Sequence, residues 1–169
     1  ALATVSRIAT SRGSLPILSN VLLRTEGTQL YIAATNLDVA ISETIGAKIK
    51  KEGSITVPAR LMQDYVSSLP SGTLELEVVG HKLELKTEHH NSAINGTPAD
   101  DFPEMPTIDN GQELTLSQQD LKSALQQVLF AASSDEARPV LTALFLHSSD
   151  GVLIAAATDS YRLAEKKIA

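Results

Sequence analysis

Apolar residues recur every three or four positions in two long stretches of the chain, which is the spacing of an amphipathic helix. The stretch 118–132 follows Ser117, whose hydroxyl is suited to cap a first helical turn. Its apolar face consists of Leu121, Ala124, Leu125, Val128 and Ala132. The stretch 58–69 begins with Pro58, and a proline is favourable at the start of a helix because it has no backbone N–H to leave unpaired. Its apolar face consists of Leu61, Met62, Tyr65, Val66 and Leu69. The pattern predicts two helices, and Leu2, Val5 and Ala9 predict a shorter one at the start.

Between the helices, apolar runs and alternating patterns bounded by turn residues predict strands. The predicted strands cover residues 16–25, 29–35, 39–49, 54–57, 141–148 and 152–158. Residues 74–78 and 82–86 alternate about Gly80 and predict a hairpin with one wet face. Residues 98–111 hold three prolines and four carboxylates and predict an extended linker. Antiparallel strands with helices over one face are an α+β arrangement.

The most informative pattern is a repeat at an offset of 123 positions, which places Pro16 on Pro139. Over 46 ungapped positions the offset gives 13 identities, whereas average composition gives roughly three by chance. Two copies of one domain are the better interpretation, and coincidence between similar strand pairs is the alternative. Because Ala1 aligns inside a predicted helix and the second copy stops at Ala169, we expect a fragment with truncated domains at 1–107 and 108–169.

Composition narrows the class of protein. The chain has no cysteine, which excludes disulfides and thiolate metal sites. No apolar run approaches the roughly 20 residues that a membrane helix needs, so we expect no membrane partner. The net charge is −6 at pH 7, whereas nucleic-acid binders are usually basic. Charge alone therefore argues against DNA as a partner.

No arrangement of residues predicts catalysis, a metal or a cofactor. Adjacent His89 and His90 would point to opposite faces of a strand, and no pair of histidines has the i, i+4 spacing of a helical metal site. Asp100 and Asp101 could form a carboxylate pair, but solvated linker charge is the more ordinary interpretation. A carboxylate hydrolase that uses Asp100, Asp101 and Asp159 is a distant alternative.

The remaining candidates are exposed cations and one loop. Arg12 follows the first helix, and Arg60 and Lys122 lie on the predicted solvent faces of the other two. By themselves these residues are typical of solubilising charge. Residues 158–163 follow a strand, and a plain turn is the alternative to a binding site there.

Four segments carry a resemblance to a known family. Residues 14–20 (SLPILSN) and 55–60 (ITVPAR) resemble segments of the first domain of the bacterial DNA sliding clamp, the beta subunit of DNA polymerase III. Residues 97–103 (TPADDFP) are similar to its interdomain stretch, and residues 157–164 (ATDSYRLA) resemble the "ATDGHRLA" of its second domain. Because the four segments occur in the family's order along the whole chain, the match is highly specific.

The resemblance implies a non-enzymatic, cytoplasmic processivity factor built from repeated clamp domains. Antiparallel sheets form its outside, helices line one face, and a homodimer closes into a ring around duplex DNA. It also implies that Arg12, Arg60 and Lys122 face the DNA. Since a ring holds DNA by encircling it, a few weak, sequence-independent phosphate contacts are enough, and an acidic chain is acceptable.

The resemblance further implies half of a groove that takes short linear motifs from DNA polymerase III subunits, the clamp loader and repair proteins. The matching residues are Arg138, Leu141, Thr158, Ser160, Tyr161, Arg162 and Leu163. Ser160 stands where the family has Gly, and Tyr161 stands where it has His. These two departures leave undecided the shape of the pocket and the peptide motif that it prefers. A stand-alone peptide-binding module that never forms rings is the second hypothesis.

Overall fold

The computed structural model describes residues 1–9, 15–105, 114–149 and 151–168, and the chain divides into two compact units. Unit 1 is Ala1–Ile108 and unit 2 is Asp109–Ala169. The elements of unit 1 are α1 (Leu2–Val5), β1 (Asn20–Glu26), β2 (Gln29–Thr35), β3 (Ala40–Gly46), β4 (Ser54–Pro58), α2 (Ala59–Ser68), β5 (Glu75–Val79), β6 (Lys82–Lys86) and β7 (Asn91–Asn95). The elements of unit 2 are α3 (Gln118–Val128), β8 (Phe145–Ser149), β9 (Val152–Thr158) and β10 (Leu163–Ile168).

Unit 1 contains two antiparallel sheets, ordered β3-β2-β1-β4 and β5-β6-β7. Its core is almost wholly aliphatic, as a chain with 4% aromatic residues requires. The buried cluster consists of Val5, Val21, Leu23, Ile32, Ala34, Ile55, Val57, Ala59, Met62, Leu83, Leu85 and Ile94. Because these residues come from both sheets and both helices, apolar burial of about 1.5–3 kcal/mol per large side chain holds unit 1 together.

The second sheet approaches the first at Gly96, next to the bridge between Thr56 and Thr97. A Cβ on Gly96 would lie 2.6 Å from the Ile55 side chain and 2.7 Å from the Thr56 carbonyl oxygen, so a glycine is required there. The buried Thr56 hydroxyl donates to the Thr97 carbonyl at 3.1 Å and accepts from the Asn20 amide at 3.1 Å. The polar groups at this junction are therefore satisfied.

Unit 2 forms one sheet ordered β10-β9-β8, with α3 packed against β9 and β10. The Ser117 hydroxyl accepts from the Asp120 amide at 3.2 Å, which confirms the predicted helix cap. Ala124, Val128, Leu153, Ala155 and Ile168 form the buried core. The predicted helix 118–132 is too long, because α3 ends at Val128 and a 3₁₀ turn, Leu129–Ala131, follows it.

The two units share one topology at the predicted offset. The 3₁₀ helices Pro16–Ser19 and Pro139–Thr142 correspond residue for residue, β2 corresponds to β9 over its full length, and β3 starts where β10 starts. Leu37 and Ser160, which are also equivalent, are the two non-glycine residues with positive φ among those described, at 78° and 79°. The repeat in the sequence is therefore a repeat of structure.

The loop between β2 and β3 shows how the repeated backbone is held. The Thr35 hydroxyl donates to the Val39 carbonyl at 3.1 Å and accepts from the Leu37 amide at 3.0 Å. The Asn36 side-chain oxygen accepts from the amides of Asp38 and Val39, at 3.1 and 2.8 Å. These four hydrogen bonds hold Leu37 in the left-handed region despite its Cβ.

Two predicted strands began too early, because the strand predicted from residue 16 begins at Asn20 and the strand predicted from residue 141 begins at Phe145. Residues 16–19 and 139–142 are 3₁₀ helices, because a proline at the first position fits a helical turn and has no N–H to offer a sheet. The prediction from the apolar run alone was therefore wrong at both sites.

Two further expectations were wrong, and one strand had not been predicted. Leu61 was predicted to lie on the buried face of α2, but it is 53% exposed. The predicted linker 98–111 includes a 3₁₀ turn, Ala99–Asp101, and a buried Phe102 that packs with Leu22 and Ala33. Residues 106–111 of that linker lie outside the described residues. Strand β7 was not predicted, since its polar sequence NSAIN carries only one large apolar residue, Ile94.

Candidate functional site

The predicted groove residues of unit 2 centre on the loop between β9 and β10. The Thr158 hydroxyl donates to the Arg162 carbonyl at 2.7 Å and accepts from the Ser160 amide at 3.1 Å. One oxygen of Asp159 accepts from the amides of Tyr161 and Arg162, both at 2.9 Å. The loop between β2 and β3 in unit 1 has the same four hydrogen bonds, so this loop backbone is a feature of the repeat. The two copies of the loop differ in the side chains that they carry.

Asp159 also fixes the side chain of Arg162. Its second oxygen lies 3.0 Å from the Arg162 Nε, and the guanidinium lies over the Phe130 ring at 5.6 Å from the centroid. The backbone amides of Arg162 and then Tyr161 lower the pKa of Asp159, so its carboxylate is charged at neutral pH. Arg162 is therefore placed between a carboxylate and an aromatic ring, and 56% of its side chain remains exposed.

Ser160 and Tyr161 occupy the tip of the loop. Ser160 has a φ of 79°, a conformation that glycine adopts freely and that strains a residue with a Cβ. Tyr161 is 94% exposed and Leu163 is 70% exposed, so neither side chain is needed by the core of unit 2. Large apolar side chains held in water on an ordered loop are typical of a binding surface.

The second group of predicted groove residues lies before β8. Leu141 is half-buried, and its carbonyl accepts from the Ser133 amide at 2.9 Å. Arg138 lies 3.7 Å from the Asp135 carboxylate and donates weakly to the Ser160 hydroxyl at 3.4 Å. This contact brings Arg138 to the loop, so the predicted groove residues before β8 lie beside those of the loop between β9 and β10.

Phe130 was missed by sequence reasoning. It falls between Val128 and Ala132 but off the predicted apolar face, and it is 59% exposed. A large apolar residue on the polar side of a helical pattern was the available signal. Its contact with Arg162 adds an aromatic side chain to the predicted groove residues.

Arg60, predicted to face DNA, lines an open polar depression of about 400 Å³ in unit 1. The other lining residues are Ser6, Arg7, Ala9, Ser19, Ala59, Gln63 and Asp64. Arg7 was missed, because the prediction at the start of the chain used only the apolar spacing of Leu2, Val5 and Ala9. In the part of the chain that is described, neither arginine forms an ion pair.

Lys122 is exposed on α3 among neutral polar side chains. It lines a shallow surface with Gln118, Gln119, Ser123 and Gln126. Arg12 lies outside the described residues. The structure thus places two of the three predicted DNA-facing cations on polar helical surfaces, one in each unit.

Two kinds of feature are absent from residues 1–9, 15–105, 114–149 and 151–168. No group of three or more histidine, aspartate or glutamate side chains there is arranged to hold a metal ion. None of the helices in these ranges has the length and apolar character needed to cross a membrane. Asp100 and Asp101 both lie on the 3₁₀ turn Ala99–Asp101, and both are exposed.

Comparison with known proteins agrees with the fold and with the repeat. Residues 1–106 match the family model of the DNA polymerase III beta subunit, N-terminal domain, and residues 115–169 match that of the central domain. The chain is 37% identical to the beta sliding clamp of Synechocystis and 38% identical to that of Synechococcus elongatus, over 96% and 98% of its length. It spans 44% and 45% of the length of those relatives.

Solved structures give the same result. The DNA polymerase III subunit beta of Pseudomonas aeruginosa is 32% identical and superimposes with a TM-score of 0.91, over 98% of this chain and 46% of that one. The sliding clamp of Bacillus subtilis is 28% identical with a TM-score of 0.92, at the same coverage. Because two family models together match nearly the whole chain, this chain belongs to the family of DNA polymerase III beta subunits, the beta sliding clamps.

Proposed function

We propose that this chain is part of a DNA polymerase processivity factor that encircles duplex DNA and slides along it. The observation that carries the proposal is the repeated clamp unit, found in the sequence, in the fold and in two consecutive family matches. In this proposal residues 1–107 belong to the first clamp domain and residues 108–169 to the second. A clamp-length protein, meaning a polypeptide of the relatives' length that carries this chain, forms a homodimeric ring.

The DNA-facing surface in this proposal includes Arg12, Arg60 and Lys122. Lys122 lies among neutral glutamine and serine residues, whereas Arg60 lies in a depression that also contains Arg7 and Asp64. In this proposal Arg60 and Lys122 each supply a single phosphate contact. Each neutralised phosphate changes the logarithmic salt slope of binding by only about 0.9. Such contacts position the duplex without a sequence preference, and the net charge of −6 is compatible with topological retention.

The second surface in this proposal is half of a groove for short linear motifs. It consists of Arg138, Leu141, Thr158, Ser160, Tyr161, Arg162 and Leu163, and we add Phe130. Exposed Tyr161 and Leu163 supply apolar contacts, and Arg162, fixed by Asp159 and Phe130, supplies an oriented donor. The proposed partners are DNA polymerase III subunits, the clamp loader and repair proteins.

The proposal assigns no reaction and no cofactor to the chain, and it places the protein in the cytoplasm with the replication machinery. The hydrolase alternative has no support from the geometry. One oxygen of Asp159 accepts from two backbone amides and the other pairs with Arg162, so the contacts of Asp159 are those of a residue that holds the loop.

The test is topological retention of the clamp-length protein on DNA after loading at moderate salt. We expect it to stay on closed circular DNA and to leave the same DNA once the circle is cut, because a ring slides off a free end. A size-exclusion measurement should give a dimer. A monomer that is retained equally poorly on both substrates would favour the stand-alone peptide-binding module.

A further inference from the structure

An apolar surface of unit 2 is exposed at positions whose equivalents in unit 1 are covered. This surface, which we call the open face, consists of Val140, Phe145, Ile154 and Ala156. Phe145 is 63% exposed, whereas its equivalent in unit 1, Leu22, is 5% exposed. Ala33, the equivalent of Ala156, is fully buried, and Ala156 is only half-buried. The two copies therefore differ in what lies over the same four positions.

The backbone beneath the two surfaces is the same. Leu22 pairs with Ala33 across β1 and β2, and Phe145 pairs with Ala156 across β8 and β9 in the equivalent register. Along β9 the residues of the open face alternate with Leu153, Ala155 and Ala157, which are buried. Because successive side chains of a strand point to opposite faces, the open face lies on the side of the sheet away from α3. A different strand arrangement does not explain the exposure.

Unit 1 covers this face with a short segment of its own chain. Phe102 is 7% exposed and packs against Leu22 and Ala33, and Ala99 and Met105 contact the same cluster. The Phe102 amide donates to the Ala99 carbonyl at 2.9 Å, which holds the ring on a tight turn. One aromatic side chain on a turn that follows β7 is therefore enough to cover the face in unit 1.

We propose that the open face is the docking surface for a later segment of the clamp-length protein, equivalent to residues 98–105. Its central contact is a large apolar side chain, the anchor residue, placed 123 positions after Phe102 by the repeat offset. This inference rests on the proposed function, since it requires the second clamp unit to continue as the first one does. The chain spans 44% and 45% of the length of two relatives, which leaves room for such a segment. A contiguous apolar patch on a sheet is typical of a surface that another segment covers.

The first experiment measures thiol labelling at residue 140 by mass spectrometry. Val140→Cys is placed in the 169-residue chain, which has no natural cysteine, and in the clamp-length protein. We expect labelling in the clamp-length protein to be at least about tenfold slower, because a covered thiol reacts only after local opening. Gln119→Cys, on the exposed surface of α3, is the matched control and should react at the same rate in both proteins. Equal rates at residue 140 would overturn the proposal.

A second experiment identifies what covers the face. Alanine at the anchor residue of the clamp-length Val140→Cys protein should restore the labelling rate of the 169-residue chain. If thermal unfolding shows that this variant does not fold, a photoreactive benzophenone side chain in place of Phe145 should cross-link to the segment that carries the anchor residue. Cross-linking to another segment would overturn the proposal. Labelling of the 169-residue chain that slows as its concentration rises would also overturn it, because a second copy would then cover the face.

Unit 1 provides an internal reference for these measurements. Leu22→Cys in the 169-residue chain should react slowly, and adding Phe102→Ala should make it react fast. Topological retention on circular DNA, measured in parallel, separates the two ways of failing. A retained protein whose residue 140 stays fully reactive refutes the docking surface and leaves the proposed function standing. A protein with residue 140 protected but without retention supports the docking surface and refutes the proposed function.

Discussion

Replacing Ser160 with glycine is the most informative single change in unit 2. Ser160 has a φ of 79° at the tip of the groove loop, where a Cβ is unfavourable. A left-handed conformation costs an L-residue about 1–2 kcal/mol. Glycine avoids that cost but loses about 0.5–1 kcal/mol more conformational entropy on folding. The hydroxyl contributes little, since its contact with Arg138 is 3.4 Å long. We therefore expect Ser160→Gly to raise the free energy of unfolding of unit 2 by about 0.5–1 kcal/mol.

The assay is a urea titration in which methyl NMR signals of the buried Ala155 and Ala157 report on unit 2 alone. For an m-value of about 1 kcal/mol/M, suited to a small unit, the midpoint should rise by about 0.5–1 M. Ser160→Ala keeps the Cβ and should give no gain. Ser134→Gly, at an exposed position without positive φ, should lower the midpoint. If Ser160→Gly lowers it as Ser134→Gly does, the loop is not strained and the reasoning fails.

Three further predictions concern the loop, the junction in unit 1 and the groove. Folding lowers the pKa of Asp159, so the Asp159 carboxylate contributes to the stability of unit 2 at any pH above the ordinary pKa of an aspartate. That contribution is lost as the pH falls through the pKa that Asp159 has in the folded state. Asp159→Asn should reduce this acid dependence, measured by urea titrations across pH, since Asn36 makes the same two amide bonds in unit 1 without titrating. Gly96→Ala should destabilise unit 1 by about 1–3 kcal/mol in denaturant unfolding, whereas Gly46→Ala, whose Cβ meets nothing within 4 Å, should change it little. Tyr161→Ala in the clamp-length protein should weaken binding of a polymerase tail peptide by about 1–3 kcal/mol in calorimetry without lowering the melting temperature, and an unchanged affinity would remove Tyr161 from the groove.

The spacing of apolar residues predicted the helices and strands that bury one regular apolar face. The hairpin about Gly80 and the strands β2 and β9 were found because their apolar and polar positions alternate or run without interruption. The same reasoning failed at residues 16–19 and 141–142, where an apolar run belongs to a 3₁₀ helix. It also failed at Phe102, since one buried ring fixes a segment whose prolines and carboxylates are typical of a linker.

The site was predicted residue by residue from the family resemblance, but its geometry was not. Nothing in the sequence indicates that Asp159 fixes Arg162 against Phe130, because that contact depends on how the 3₁₀ turn Leu129–Ala131 packs on the sheet. Arg7 was missed for the same reason, since its relation to Arg60 arises only when α1 and α2 pack in unit 1. Contacts between elements distant in sequence are what a pattern along one chain cannot reveal.

The other conclusions depend on one folded unit occurring twice in this chain, each copy ending its central strand in the same hydrogen-bonded loop. An NMR structure of the 169-residue chain tests this directly, through scalar couplings that report φ at Leu37 and Ser160. We expect positive φ at both residues and superimposable backbones from Leu15 to Ala40 and from Arg138 to Leu163. A negative φ at either residue, with unlike strand order in the two copies, would contradict the repeat and the clamp function proposed from it.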